Sequence, residues 1–443
     1  QSAPTAEALI EAARLGGKVS YAVMDAHAGA LLEAREPALA QPPASVAKAV
    51  TALFALDRLG PEHRFLTRLI ATGPVAGGRL AGDLVLDGGG DPTLSTDDLG
   101  DLARALRQAG VREVAGRFLV HGGALPRVPR IADDQPDHVG YNPTISGLNL
   151  NYNRVHFEWK RGQQGWQVAV DARGERFVPT VRLARVRIVQ RDSPLFTYAA
   201  NGRQEDWTVA SAALGRGGSR WLPTRQPELY AGEVFQALAR AQGIVLPDPQ
   251  LVQGRPGGTV LAQHASPPLR LMAREMLRWS TNLTAEAVGL AASGAGGLGT
   301  SGARMSDWAA SRLGMGARFV DHSGLGAASR VSAADMAAAL VRAGPAGPLR
   351  PLLRAFPLGE KNRPHPAQVV AKTGTLNFVS GLGGYVTLPS GRELAFAIFA
   401  ADPARRDALR GEARERPGGG PEWTRRARTM QARLIERWAA LYG

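Results

Sequence analysis

The chain has 443 residues and no Cys, with 53 basic against 39 acidic side chains and a formal charge of +14. Hydrophobic residues at 44% and charged residues at 21% are ordinary globular proportions, which exclude a disordered chain or a coiled coil, and the missing Cys excludes disulfides and Cys-ligated metals. The longest apolar run, Leu394 to Ala401, is far short of a membrane span, and the length implies two or three domains.

The chain opens Gln1-Ser2-Ala3-Pro4-Thr5 with no initiator Met, which fits removal of an export signal and equally a cloned start. A periplasmic location is the expectation. Val19–Met24 and Ala30–Ala34 read as strands joined by a turn over Asp25–Gly29. Pro42 and Pro43 end the extended stretch, and Ala44 to Leu59 then carries a helical pattern closed by Gly60, with Ser45 and Lys48 at its start. From about residue 67 to 245, Gly-rich turns separate short β-like runs such as Gly82–Leu86 and Val181–Ile188, with one helix over Asp97–Ala109. This stretch reads as an inserted region, with 152–225 a β-rich subdomain and 67–151 plus 226–245 a mixed α/β one. Residues 1–66 and 246–443 form the remaining domain.

Helical periodicity returns at Glu228 and predicts helices over Leu269–Trp279, Leu283–Ala292 and Ser332–Val341. Val369–Thr375, Gly381–Leu388 and Arg392–Ala401 read as three strands, the last two joined by Pro389-Ser390-Gly391. Trp423–Tyr442 closes the chain as a basic amphipathic helix whose Met430, Leu434 and Trp438 stripe is expected to pack on a sheet rather than lie on a membrane.

The cations are spread along the chain and interleaved with acids, and no finger or RNA-recognition motif accompanies them, so nucleic acid is not an expected partner. Lys occurs only at 18, 48, 160, 361 and 372, all other cations being Arg. A position that stays Lys points to a need for a compact ammonium whose proton can leave when it is desolvated.

Two of those lysines sit in short motifs. In Ser45-Val46-Ala47-Lys48 the hydroxyl and amine lie three apart on one helix face, where a neutral amine can take the serine proton. Alone, this is equally a capping Ser before a surface Lys. Ser280-Thr281-Asn282 places a hydroxyl and an amide in a tight connection between helices, where Ser and Asn are also ordinary helix starts. Lys372-Thr373-Gly374-Thr375 offers a cation and two hydroxyls at a strand end, with a Gly that admits a close ligand backbone; this suits a carboxylate.

In combination and order, the three motifs resemble the penicillin-binding protein and serine β-lactamase superfamily, where Ser-x-x-Lys, Ser-x-Asn and Lys-Thr-Gly line one site. The long gap between Ser45 and Ser280 is similar to the low-molecular-mass class C penicillin-binding proteins, the D-alanyl-D-alanine carboxypeptidase/endopeptidase family. Gly88-Gly89-Gly90-Asp91-Pro92-Thr93-Leu94 and Asp321-His322-Ser323-Gly324-Leu325 resemble that family too.

The resemblance implies an α/β (α+β) transpeptidase-like domain: an antiparallel sheet flanked by helices and built from both ends of the chain, plus a large β-rich insertion. It implies that Ser45 is the nucleophile, Lys48 its base and Ser280 the proton relay. Asn282 would hold the acyl-side amide, and Lys372, Thr373 and Thr375 the terminal carboxylate. The N–H groups of Ser45 and Thr375, beside Gly374, would form the oxyanion hole. Peptidoglycan stem peptides are the implied substrates and β-lactams the implied covalent inhibitors, with no cofactor or metal and no transmembrane segment.

Related enzymes place an Asp suited to a diaminopimelate amine near the strand corresponding to Phe118-Leu119-Val120; this chain has His121-Gly122-Gly123 there, a departure that bears on that side-chain preference and on endopeptidase activity. Two rival readings lack support in the sequence. A β-lactamase would need a deacylating carboxylate, and no Glu-x-x-Leu-Asn lies between Asn282 and Lys372. A catalytically silent peptidoglycan-binding protein would not need Ser45, Lys48, Ser280, Asn282 and Lys372 together. Gly297–Gly302 fits a dinucleotide fingerprint by letter, but a helix precedes it where the fingerprint needs a strand, so it reads as a helix-to-helix turn.

Overall fold

The apolar run Leu394–Ala401 lies in the strand Glu393–Ala401, the fourth of a six-stranded antiparallel sheet in the computed structural model, which describes residues 2–443. Gln1, on which the export reading draws, lies outside the described residues. The sheet runs in the order 354–355, 368–376, 379–387, 393–401, 18–25, 31–35. Its centre joins the two ends of the chain, since Lys18 pairs with Ala401 and Asp25 with Leu394. A strand buried on both faces can be apolar throughout, which is why this one shows no alternation.

Each face has its own cover. Leu394, Phe396, Ile398 and Ala400 alternate into one apolar cluster with Tyr21, Val23 and the Trp423, Met430, Leu434 and Trp438 stripe. The C-terminal helix, Gly420–Tyr442, therefore packs on the sheet. On the other side the helix Ala333–Ala343 packs against the strands 18–25, 379–387 and 393–401, and the Tyr385 hydroxyl donates to the Leu340 carbonyl at 2.6 Å. Helices Ala6–Ala13, Ala47–Leu59, Leu269–Trp279, Asn282–Ser293, Leu298–Leu313 and Pro403–Asp407 also belong to this unit. Leu298–Leu313 corrects the sequence reading: Gly299 and Gly302 lie inside a helix rather than in a turn between helices. The preceding element is a helix, so the dinucleotide fingerprint has no strand.

The chain divides into two compact units, residues 1–61 with 269–443, and residues 62–268. The expected boundaries stood at 66/67 and 245/246. The second unit is larger because Pro249–Leu251 pairs with the strand 118–121 and Thr259–Ala265 with the strand 66–71. Neither pairing partner is local, so sequence periodicity could not show where those strands belong.

Within 62–268 a five-stranded sheet (order 249–251, 118–121, 84–87, 66–71, 259–265) carries the helices Thr96–Gln108 and Pro227–Ala241. Ser95 caps the first of these, with Asp98 returning the capping bond. Two three-stranded sheets follow, 165–171/154–162/217–223 and 184–189/204–210/196–201. One buried apolar cluster runs from Leu69 and Leu86 through Phe157 and Trp207 to Phe235, so the two expected subdomains share a core. No helix among the described residues is long and apolar enough to cross a membrane.

Candidate active site

Ser45 sits in a tight turn, Ala44–Val46, that leads into the helix Ala47–Leu59. The sequence reading had one continuous helix from Ala44. Instead Ala44 is left-handed, with φ 49°, because the backbone must bend before the helix can start. Two glycines let other segments close on that bend. A Cβ on Gly374 would stand 2.8 Å from the Ser45 nitrogen and the Pro43 carbonyl, and one on Gly324 (φ +82°) would fall inside the Ala44 carbonyl. The Lys372 strand and the 321–326 loop thus approach the Ser45 turn at backbone distance.

Lys48 is fully buried, and its Nζ has three oxygen neighbours. These are Ser45 Oγ at 2.7 Å, Asn282 Oδ1 at 2.7 Å and the Ser323 carbonyl at 2.9 Å. Burial holds the amine well below the usual lysine range, and the nearby positive Lys372 adds to this, against opposing attraction from Glu286 and Asp321. A neutral amine has two N–H groups and one lone pair. The two carbonyl-type oxygens can only accept, so they take both hydrogens and leave the lone pair for the Ser45 hydroxyl proton. The arrangement points a base at an alcohol.

The 321–326 loop is itself held from beneath. Glu286, one turn after Asn282 on the helix Asn282–Ser293, is fully buried and accepts the N–H groups of His322 at 2.7 Å and Ser323 at 3.0 Å. Asp321 accepts those of Gly324 and Gly326, and Thr51 donates to the His322 carbonyl at 2.6 Å. Burial pushes the Glu286 carboxyl up to about 8, with the neighbouring Asp321 adding to it, and burial also raises Asp321. The Glu286 carboxyl and the Lys48 amine are therefore both shifted toward their neutral forms. Burial takes the His322 imidazole down to about 3, so it stays neutral against Ser301 and Phe54.

Ser280 follows the helix Leu269–Trp279 in a left-handed conformation, φ 58°, where a helix end usually has Gly. A side chain there costs about 1 kcal/mol and gains a fixed hydroxyl. Lys372 Nζ donates to that hydroxyl at 3.1 Å and to the Thr373 carbonyl at 2.6 Å. Burial and the positive Arg354 bring the Lys372 ammonium down to about 7. Ser45, Lys48 and Asn282 are thus linked directly, Lys372 is linked to Ser280, and Gly374 abuts the Ser45 turn. Thr373 is half-buried and Thr375 exposed at the end of the same strand.

Reading motifs alone missed the Ser323 carbonyl and Glu286. Backbone acceptors leave no mark in side-chain spacing, and a Glu inside a helical pattern reads as a solvated face. The signal that was present is Asp321 with Gly324 three residues on, a turn that side-chain oxygens stabilise. His121, in the other unit, is buried with its Nδ1 2.8 Å from Asp87 Oδ1, and Arg255 Nε lies 3.0 Å from Asp87 Oδ2. Among the described residues no group of three or more His, Asp or Glu side chains could hold a metal ion.

The profile of the D-Ala-D-Ala carboxypeptidase 3 (S13) family matches residues 2–416. The chain is 29% identical over 436 residues to a D-alanyl-D-alanine carboxypeptidase of Actinomadura sp. (strain R39), covering 88% of this chain and 79% of that protein. Its fold matches the crystal structure of penicillin binding protein 4 from Haemophilus influenzae with a TM-score of 0.80 at 20% identity, over 99% of this chain and 98% of that one. The structure of that protein complexed with a β-lactam matches with a TM-score of 0.77 at 19% identity, over the same shares of the two chains.

Proposed function

The chain belongs to the D-Ala-D-Ala carboxypeptidase 3 (S13) family, and on that premise we propose that it is a serine D-alanyl-D-alanine carboxypeptidase acting through an acyl-enzyme on Ser45. The observation that carries the assignment of Ser45 is the buried Lys48 amine, whose Nζ lies 2.7 Å from Ser45 Oγ and is held on its other sides by Asn282 Oδ1 and the Ser323 carbonyl.

Ser45 Oγ attacks the carbonyl of the penultimate D-alanine while Lys48 takes its proton. The N–H groups of Ser45 and Thr375 receive the developing oxyanion. A proton passes through Ser280, itself hydrogen-bonded to Lys372, to the leaving nitrogen, so the C–N bond breaks and D-alanine departs. Asn282 holds the acyl-side amide in addition to its bond with Lys48. Lys372, Thr373 and Thr375 hold the terminal carboxylate, and Gly374 keeps the substrate strand close to the nucleophile. Water then adds to the acyl carbon and Ser45 recovers its proton. Peptidoglycan stem peptides are the proposed substrates, which places the working site outside the cytoplasmic membrane, in the periplasm. β-Lactams are proposed to stop at the acyl stage.

Intact-mass measurement after incubation with benzylpenicillin tests this. One drug mass should add, Ser45→Ala should abolish the addition, and a pentapeptide ending in D-Ala-D-Ala should lose one alanine. An undiminished adduct on the variant would place the nucleophile elsewhere, and rapid release of hydrolysed penicillin would make the protein a β-lactamase. Cleavage of cross-linked muropeptide dimers in the same assay would add endopeptidase activity.

A further inference from the structure

Thr375 and Ser380 face each other across the strands 368–376 and 379–387, and one turn of the C-terminal helix touches both. Gln431 Nε2 donates to Ser380 Oγ at 3.0 Å, and an Arg428 guanidinium N–H donates to Thr375 Oγ1 at 3.2 Å. Gln431 is buried, as are Ala427 and Met430 on either side of Arg428, so the helix is pinned at this level of the sheet. Arg428 itself is exposed and makes no ion pair among the described residues.

We propose that Arg428 is a further substrate-binding residue, whose guanidinium takes the terminal carboxylate of the peptide beside Thr375. The inference rests on the reading that Thr375 belongs to the carboxylate subsite. Three cations lie along that strand. Lys372 lies on the strand, Arg354 on the paired segment 354–355, and Arg428 on the C-terminal helix. Lys48, on the helix Ala47–Leu59, is the next cation, and the buried carboxyl groups of Glu286 and Asp321 act on it. A pocket lined by one sign of charge draws the opposite one. Lys372 alone is a weak anchor, because burial lets its ammonium lose the proton near neutrality. A guanidinium keeps its charge over the whole working range and presents a fork of donors matched to a carboxylate. Arg428 thus supplies the permanent charge that the buried lysine cannot.

Steady-state release of D-alanine from a D-Ala-D-Ala tripeptide by the wild type, Arg428→Gln and Arg428→Lys tests the proposal, with thermal unfolding as a control for folding. At pH 7 the Gln variant should show a KM raised about tenfold, the loss of one charge-assisted hydrogen bond, with kcat little changed. Arg428→Lys should recover part of the loss. Between pH 6 and pH 9 the ratio of the two KM values should grow as Lys372 discharges, which a structural role would not produce. Equal KM values for wild type and Arg428→Gln at both pH values, with the Ser45 penicillin adduct still forming, would overturn this inference alone. If the wild type forms no Ser45 adduct, the catalytic reading fails and the inference falls with it.

Discussion

Asn282 Oδ1 lies 2.7 Å from Lys48 Nζ although 234 residues separate them in the chain. Because an amide oxygen can only accept, this contact decides which way the amine is turned, and hence where the Ser45 proton can go. Acylation by penicillin should therefore fail as pH falls and Lys48 gains a proton, since its amine is held well below the usual lysine range by burial. Asn282→Asp would set a carboxylate against the amine and favour the ammonium, so the acid limb should move to higher pH and the rate at pH 7 should drop. Adduct formation followed from pH 5 to pH 10 checks both. An unchanged limb in the variant would remove Lys48 as the base.

Gly374→Ala tests the backbone approach of the Lys372 strand. The new Cβ would meet the Ser45 nitrogen and Pro43 carbonyl at 2.8 Å, where only backbone can give way. Misplacing a reacting group by about 1 Å costs on the order of a hundredfold in rate, and Ser45 is the proposed one. The acylation rate constant should fall by that order while the protein still unfolds cooperatively.

Glu286 bears on stability. Its carboxyl is raised to about 8 in the fold, chiefly by burial, from an unfolded value near 4.5. A group raised on folding contributes stability that is complete below the unfolded value and is lost as pH rises through the folded one. The wild type should therefore lose more melting temperature between pH 5 and pH 9 than Glu286→Gln, which has no proton to release. The variant should also acylate more slowly at neutral pH, because Gln has only one oxygen for the His322 and Ser323 N–H groups. Parallel melting curves across that range would refute the account of this residue.

Trp438→Ala addresses the sheet. Trp438 is fully buried, packs on Tyr21 and Phe396 with ring centroids at 5.6 and 5.8 Å, and donates to Glu33 at 2.7 Å. Its truncation should destabilise the protein by ~3–5 kcal/mol, read by denaturant unfolding, with little change in acylation rate at temperatures where the variant stays folded.

The site motifs were legible because the chemistry needs side chains at short, fixed spacings. Ser45 stands three residues before Lys48 at the start of one helix, and Lys372 with Gly374 shares one strand face. The strands near 369–401 were equally plain, being apolar and bounded by Pro389-Ser390-Gly391. Thr259–Ala265 was not, because its polar and apolar residues take their order from pairing with a strand nearly two hundred residues earlier. The Ser323 carbonyl and the role of Glu286 were invisible for a related reason. Both act through backbone geometry that exists only once the 321–326 loop lies against its helix.

The central sheet pairs Lys18 with Ala401, so its inner strands come from opposite extremes of the polymer. During synthesis the first strand must wait for nearly four hundred residues before it finds its neighbour, and such distant pairings form late. Lys372 and Gly374 arrive with that last portion. Asn282 and Ser323, the proposed partners of the Lys48 amine, also lie far along the chain from Ser45, so on the proposed mechanism Ser45 stays an ordinary serine until those distant segments have closed on it.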